Sequence, residues 1–235
     1  MDKRICKPSI KIDNRVSELF SKGVGSLKVY KIPEATIIRL SIYSRQLHYL
    51  KDTGVETVSS EEIADSVGVS SAQVRKDLAY FGEFGTRGVG YRVEELLANI
   101  TKILGLDHEW NIVIIGAGKL GMALAMYQGF RERGFSIKAV LDNDPGKVDH
   151  ELQGIRIESL KTLPDIVKKY EINIGIITVP GENAQAVTDL LVESGVPAIL
   201  NFSPRVLKVP PHTILRNVDL SVNLKVLSFG LSFNR

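Results

Sequence analysis

Cysteine is nearly absent: Cys6 is the single one in 235 residues. That excludes a disulfide framework, a Cys-x-x-Cys couple and a cysteine-ligated zinc site. Long apolar runs are missing too. No stretch of about eighteen uncharged apolar residues occurs, which excludes a membrane-spanning helix. Met1–Lys11 is too charged and too poor in apolar residues to be a signal peptide, so a cytoplasmic protein with no membrane partner is expected. Histidine is sparse: His48, His108, His150 and His212 stand apart, and no residue is spaced to orient one of them as a catalytic base. Neither catalytic nor metal-ligating residues are expected. Charge of one sign is in small excess, 30 Lys and Arg against 27 Asp and Glu. The imbalance sits in residues 1–92, with 15 against 11, while the remainder holds 15 against 16. A basic excess of that size is thin support for nucleic acid at the N-terminal end.

What the chain does have is 44% hydrophobic residues, enough for packed cores, and a length that suits two modest domains or one large one. Its most informative stretch runs from Asn111 to Ala125. Ile112–Ile115 reads as a strand buried on both faces, and Gly116-Ala117-Gly118-Lys119-Leu120-Gly121 follows as G-x-G-x-x-G opening a helix. Gly116 allows the tight turn, Gly118 lets backbone N–H groups approach a pyrophosphate, and Gly121 lets the helix pack on the strand. The helix start supplies unpaired N–H groups and partial positive charge to the phosphates. A second strand, Ile137–Asp142, ends in an acid about twenty residues beyond the last glycine. Asp142 is the candidate for the adenosine ribose hydroxyls and favours NAD over a 2′-phosphorylated nucleotide.

Upstream, Met1–Lys31 is an arm of unreadable function with room for a short helix near Val16–Phe20. Pro33 opens a helix whose apolar positions run from Ile37 through Ile42 and Leu47 to Leu50, ending before Gly54. Arg39 and Arg45 sit on it, either as solvated surface or with a role. Ser59 and Glu62 have capping-box spacing and start a helix, Glu61–Val67, that stops at Gly68; Ser70 and Gln73 repeat the spacing and open a helix to about Phe81. Helix, glycine turn, helix is helix-turn-helix order.

In the second helix Val74, Leu78 and Phe81 share a core side. The opposite side presents Ala72, Gln73, Lys76 and Tyr80, with Arg75 on the flank. Small Ala72 permits close approach, Gln73 can bond adenine bidentately, and Arg75 and Lys76 can reach guanine edges or phosphates. Gly82–Tyr91 looks like a β-hairpin wing with Arg87 at its tip, suited to a minor groove. Val93–Leu104 is a connecting helix, so a domain boundary is expected near Arg92.

Beyond Asp142 the pattern alternates strand and helix. Asn143-Asp144-Pro145-Gly146 is a turn, Ile155–Ile157 a short extended piece and Leu163–Tyr170 a helix. Ile172–Val179 is a buried strand ending at Thr178-Val179-Pro180, then come a helix at Asn183–Ser194 and a last strand at Pro197–Leu200 with Asn201 and Phe202 in its end loop. Ligands of open α/β sheets bind beyond the carboxyl ends of strands, which places Thr178 and Pro180 on the right edge. Phe202 fits either beside a nicotinamide or in the core. Asn217–Arg235 carries two apolar helical stripes, Leu220, Leu224, Leu227, Leu231 and Val222, Val226, Phe229, Phe233; a strand from Val218 to Val226 competes. As a helix it exposes enough apolar surface to pack against a second copy of the chain, and a two-fold dimer would place two reading helices on a palindrome.

From about Ile32 to Leu231 the sequence resembles the Rex family of bacterial redox-sensing transcriptional repressors. The resemblance rests on Ser70-Ser71-Ala72-Gln73-Val74-Arg75-Lys76-Asp77-Leu78 with Phe81-Gly82, on Arg87-Gly88-Val89-Gly90-Tyr91, on Gly116–Gly121 and on Asn217-Val218-Asp219. It implies an α/β protein: an N-terminal winged-helix DNA-binding domain, a Rossmann-type parallel-sheet NAD(H)-binding domain, and a C-terminal helix exchanged between the subunits of a homodimer. Such proteins repress genes of fermentation and respiration when NADH is scarce relative to NAD, and leave the operator when NADH binds. The resemblance makes Asp219 the switch acid, partnered with Tyr91 in the NADH state and Arg39 in the DNA-competent state.

The expected layout is an arm at 1–31, the winged-helix domain at 32–92, the NAD(H) domain at 93–216 and the dimerisation helix at 217–235. NADH and NAD are assigned to Gly116, Ala117, Gly118, Lys119, Leu120, Gly121, Asp142, Thr178, Val179, Pro180, Asn201 and Phe202. Double-stranded operator DNA is assigned to Ser71, Ala72, Gln73, Arg75, Lys76, Arg87 and Gly88. The rivals are a small NAD-dependent dehydrogenase and a regulatory domain for coenzyme A or another nucleotide. Too little chain follows Leu200 for a substrate domain, and a ribose-binding acid at Asp142 repels a 3′-phosphate.

Overall fold

The computed structural model describes residues 32–86, 88–152 and 154–233. They fall into two compact units that divide between Asp107 and His108. The N-terminal arm with its expected short helix, Cys6, and the wing residue Arg87 lie outside the described residues.

The first unit contains α1 (Glu34–Asp52), β1 (Thr57–Val58), α2 (Ser60–Val67), α3 (Ser71–Ala79), β2 (Tyr91–Arg92) and α4 (Val93–Ile103). Pro33 caps α1 from an extended conformation, so the helix begins at Glu34, one turn before the first apolar marker. The capping box is complete at α2: Ser59 Oγ accepts from Glu62 N, and Ser59 N donates to the Glu62 carboxylate. At α3 it is half made. Ser70 Oγ accepts from Gln73 N, but the Gln73 side chain turns to Asp77.

Leu40, Tyr43, Leu47, Ile63, Val74, Leu78, Val93, Leu96, Leu97 and Ile100 form one core. The boundary expected at Arg92 therefore falls after Asp107. The apolar stripe of α4 buries against α1, which makes α4 part of this unit's core, its fourth helix among the described residues, and not a connector. The expected hairpin is shorter than its sequence suggests. Tyr91–Arg92 pairs antiparallel with Thr57–Val58, and the loop between α3 and β2 is pinched by a single bridge between Thr86 and Gly90.

The second unit is an open sheet in the order β5–β6–β4–β3–β7–β8–β9, with β3 Trp110–Ile115, β4 Phe135–Asp142, β5 Glu151–Leu152, β6 Ile155–Ser159, β7 Ile174–Ile177, β8 Ala198–Asn201 and β9 Ile214–Asn217. Six strands are parallel; β5 is an antiparallel edge on β6. Interleaved are α5 (Lys119–Ala125), α6 (Leu163–Tyr170) and α7 (Gly181–Glu193), with α8 (Leu220–Phe233) at the end.

Strand β3 shows why an unbroken apolar run suits the sheet centre. Val113 and Ile115 belong to one core with Leu163, Ile166, Val187 and Leu191, and Ile112 and Ile114 to another with Met122, Val140, Ile157 and Ile176. Chain order reverses across β3: the chain goes to β4 on one side and later returns to β7 on the other, which opens a crevice beyond their carboxyl ends.

Three expectations need correction here. The sheet does not end near Leu200, because Ile214–Asn217 adds β9 to the edge by pairing with Ala198–Asn201. With Asn217 in that strand, the C-terminal helix starts at Leu220, and the strand alternative for Val218–Val226 fails. Helix α7 starts at Gly181, not Asn183, since Pro180 caps it directly.

Candidate functional site

The crevice of the second unit has a volume of about 560 Å³ and is bounded by the ends of β3, β4, β7 and β8. Eight of the twelve expected cofactor residues line it: Gly116, Gly118, Leu120, Asp142, Thr178, Val179, Pro180 and Phe202. The glycines differ in what they do. Gly116 holds φ at +111°, a conformation that a side chain strains, and turns the chain out of β3. Gly121 sits so close beneath the turn that a Cβ there would lie 1.9 Å from Gly116 O and 2.8 Å from Thr178 Oγ1. A Cβ on Gly118 would meet nothing within 4 Å, so its Cα faces open space in the cradle. Thr178 locks the turn from the side by donating to the carbonyls of Ile115 (3.1 Å) and Gly116 (2.8 Å).

Four expected residues do not line the crevice. Ala117 is buried and acts through its N–H, which donates to Asp142 Oδ2 at 2.8 Å. Gly121 supports the turn from below, as described, and Lys119 begins α5. Asn201 is a positioning residue. Fully buried, it donates to the carbonyls of Ser203 and Arg205 and to Asn217 Oδ1, and accepts from Ser203 N, which ties the β8 end loop to β9.

Asp142 is buried yet ionised. Burial alone would raise its pKa, but the Asp144 N–H, the Lys147 ammonium 3.0 Å away and the Ala117 N–H outweigh it, and the net shift is downward. Lys147 was not expected at the site; it follows the turn in which Asp144 accepts from Gly146 N. Asn143, Asn183 and Ser203 also line the crevice without a sequence signal. Ser203 Oγ is buried with no hydrogen-bond partner among the described residues. A hydroxyl in that state, on the wall of a cavity floored by an open glycine cradle and rimmed by an ionised carboxylate, fits a polar ligand of dinucleotide size.

In the first unit, the N-terminal turn of α3 is exposed at Ala72, and Arg75 and Lys76 are exposed further along; Ser71 and Gln73 are half-buried. Tyr80, placed on the outer side by spacing, packs partly into the core. Two of the expected readers have partners at home. Arg75 Nη1 donates to Ser60 Oγ at 2.7 Å and pairs with Glu61 at 3.3 Å, while Gln73 Nε2 donates to Asp77 Oδ1 at 2.9 Å. Lys76 shows no hydrogen bond or ion pair among the described residues. Gly88 lies in the Thr86–Gly90 loop.

Asp77 is the residue that sequence reasoning passed over. Its side chain is 0% exposed. It accepts from Thr36 Oγ1 (3.1 Å), Arg39 Nε (2.6 Å) and Nη2 (2.7 Å), Tyr43 OH (2.9 Å) and Gln73 Nε2 (2.9 Å). Burial pushes its pKa up, and the Arg39, Gln73 and Tyr43 hydrogen bonds with the Arg39 charge more than reverse that. This network also decides Arg39, which is a bidentate anchor of α1 to α3 and not a loose cation. Of the other two expected switch residues, Tyr91 is buried in the first unit's core, where burial raises its phenol pKa, and Asp219 is exposed. Asp219 accepts from Ser221 N at 2.8 Å, and hydrogen bonding by Ser221 lowers its pKa.

A capped helix-turn-helix followed by an open sheet with a glycine-turn crevice defines a class: two-unit proteins that join a DNA-reading module to a nucleotide-binding one. A family model described as "Putative DNA-binding protein N-terminus" matches residues 31–79, and one described as a CoA binding domain matches residues 107–205. The redox-sensing transcriptional repressor Rex of Syntrophomonas wolfei subsp. wolfei is 67% identical over 208 residues, 88% of this chain and 99% of the relative. The crystal structure of RSP in complex with β-NAD+ and operator DNA superposes with a TM-score of 0.81 at 42% identity, covering 88% of this chain and 94% of RSP. RSP in complex with β-NADH gives 0.78 at 41%, covering 86% and 95%. The chain belongs to the Rex family of redox-sensing transcriptional repressors.

Proposed function

We propose that this chain is a cytoplasmic repressor that binds palindromic operator DNA as a homodimer and leaves it when NADH occupies the crevice. The observation that carries this is the pairing, in one chain, of an exposed reading-helix start with a nucleotide crevice whose lining holds no histidine, cysteine or tyrosine. Bound NADH would be a signal and not a hydride donor, a reading supported by the relatives that carry the same two units and are redox-sensing transcriptional repressors. In this reading the backbone of Gly116–Gly118 faces the pyrophosphate, Asp142 takes the adenosine ribose, and Ser203 and Phe202 lie toward the other end. Residues 32–107 read DNA and 108–217 bind the nucleotide. The coenzyme A alternative suggested by one family model meets an ionised carboxylate at Asp142, which disfavours a 3′-phosphate on the ribose.

The dimer follows from α8. Leu220, Val222, Leu224, Val226, Leu227, Phe229, Leu231 and Phe233 are all exposed on it, a stretch that a lone chain has no reason to leave in water. Exchanged with a second copy, α8 would bury both stripes and set two copies of α3 on a two-fold axis, matching half-sites a helical turn or a multiple of it apart.

The test is a titration of an operator complex with each nucleotide. NADH at micromolar concentration should release the DNA, and NAD should need a far higher concentration. Equal potency of the two would refute redox sensing, since a ligand with no differential affinity for the two states shifts nothing.

Within this function Asp219 is the switch acid, exposed at the start of α8. Asp219→Ala should keep NADH affinity within about threefold, under 0.7 kcal/mol, while NADH no longer releases the operator. Release at the wild-type NADH concentration would remove Asp219 from the switch.

A further inference from the structure

We infer that the Asp77 carboxylate fixes which way round the Gln73 amide faces, so that Gln73 offers an operator base its carbonyl oxygen and selects a base bearing an exocyclic amine. The inference rests on the reading of α3 as the DNA-reading helix and adds a specificity determinant to it.

An unrestrained glutamine side chain can flip. One flip suits adenine, with the oxygen accepting from N6 and the nitrogen donating to N7; turned over, it offers donors to the O6 and N7 acceptors of guanine. Gln73 does not have that freedom. The atom facing it at 2.9 Å is Asp77 Oδ1. An ionised carboxylate only accepts, so the amide nitrogen must face it, whichever way the amide is drawn. An oxygen turned to that position would set two acceptors against each other.

Nor can the carboxylate move aside to allow the flip. Thr36, Arg39 and Tyr43 hold both of its oxygens from α1, and with Gln73 they supply five donors to a group with about four lone-pair sites. The Arg39 guanidinium keeps it charged. Gln73 is also well placed to use a fixed orientation. It is the third residue of α3, in the first turn, the part of a recognition helix that reaches base edges. With the nitrogen directed inward to a fully buried acid, the carbonyl oxygen is the end directed away from the unit's interior.

In the major groove the exocyclic amines N6 of adenine and N4 of cytosine are donors, and O6 of guanine and O4 of thymine are acceptors. Gln73 therefore accepts from adenine or cytosine at its position and places lone pair against lone pair at guanine or thymine. The buried acid never touches DNA, yet it sets the polarity of the contact.

The experiment compares full-length wild type with Gln73→Ala on a panel of operator duplexes carrying every single base-pair change. Equal melting temperatures would establish that the variant is folded; four of the five donors to Asp77 remain in it. The expected result is one position per half-site at which wild type loses about 10- to 100-fold when the amine-bearing base becomes its keto counterpart, a preference absent in Gln73→Ala. If the base is adenine, purine, which lacks the N6 amine, should cost wild type most of that loss and the variant none. Unchanged preferences in Gln73→Ala, or a relaxed position that favoured guanine or thymine, would overturn the inference. Failure of wild type to distinguish any duplex from random DNA would instead overturn the reading of α3 itself.

Discussion

Asp77→Ala is expected to destabilise the first unit by about 3 kcal/mol and to abolish sequence-preferring DNA binding. Removing one partner of a buried ion pair costs more than the pair itself contributes, because the surviving charge stays desolvated. Here the survivor is the Arg39 guanidinium, whose side chain is 23% exposed, so water recovers part of the loss and the low end of the usual 3–5 kcal/mol applies. Tyr43 OH and Thr36 Oγ1, in buried residues, lose their acceptor at the same time. Function falls further than stability. Four of the five bonds to Asp77, from Thr36, Arg39 and Tyr43, join α1 to α3, so without them the reading helix keeps its apolar contacts through Val74 and Leu78 but loses the polar anchor that fixes its rotation. Chemical denaturation followed by a gel-shift titration checks both parts. A variant with wild-type denaturation midpoint and wild-type operator affinity would show that the network is ornamental.

The same carboxylate gives the unit an acid limb of known sign. Its folded-state pKa lies below the ordinary carboxylate range, so its contribution is fully present above that range and is lost as pH falls through the depressed value. Asp142 acts in the same direction in the second unit. Stability near neutral pH does not depend on either titration.

How far the sequence reveals these features depends on how local their causes are. The glycine turn was legible because strand, turn, helix and acid follow one another along the chain. The capping box at Ser59 and Glu62 was legible for the same reason. Asp77 was not: in sequence it is one more charge on an amphipathic helix, and its burial comes from Thr36, Arg39 and Tyr43, which lie 34 to 41 positions away. The same distance hides the partner of Arg39: a switch role taken from resemblance does not show that its guanidinium already has a carboxylate at home.

The edge strand β9 escaped detection because an edge carries little pattern. Of its four residues only Leu215 is half-buried, and the other three are exposed. Lys147 and Ser203 reach the crevice because loops after different strands converge there, an arrangement that only the sheet order creates. The boundary at Asp107 depended on which unit the α4 stripe would bury against, and spacing alone shows that a stripe exists, not what it meets.

The second large effect is expected where the sequence was most explicit. Gly121→Ala should weaken NADH binding at least about 100-fold, equivalent to about 2.8 kcal/mol, and lower the melting temperature of the second unit as well. The added Cβ would stand 1.9 Å from the Gly116 carbonyl oxygen, which is backbone and cannot rotate out of the way, and 2.8 Å from Thr178 Oγ1, which is already bonded to that carbonyl. Either α5 must lift from the turn or the turn must open, and each displaces the backbone of Gly116–Gly118 on which the ligand would rest. Overpacking a close contact of this kind typically costs 1–3 kcal/mol in stability.

Gly118→Ala separates the two consequences. Its φ of −80° suits any residue, and its Cβ would meet no protein atom within 4 Å, so the fold should be indifferent to it. What the methyl group would occupy is the cradle itself. Gly118→Ala should therefore melt like wild type and still bind NADH poorly. Both variants should hold the operator at NADH concentrations that release wild type, one because its site is distorted and the other because its site is filled. Differential scanning calorimetry with isothermal titration by NADH distinguishes them. Wild-type NADH affinity in Gly118→Ala would show that the ligand does not approach the turn there, and the assignment of this crevice would fall with it.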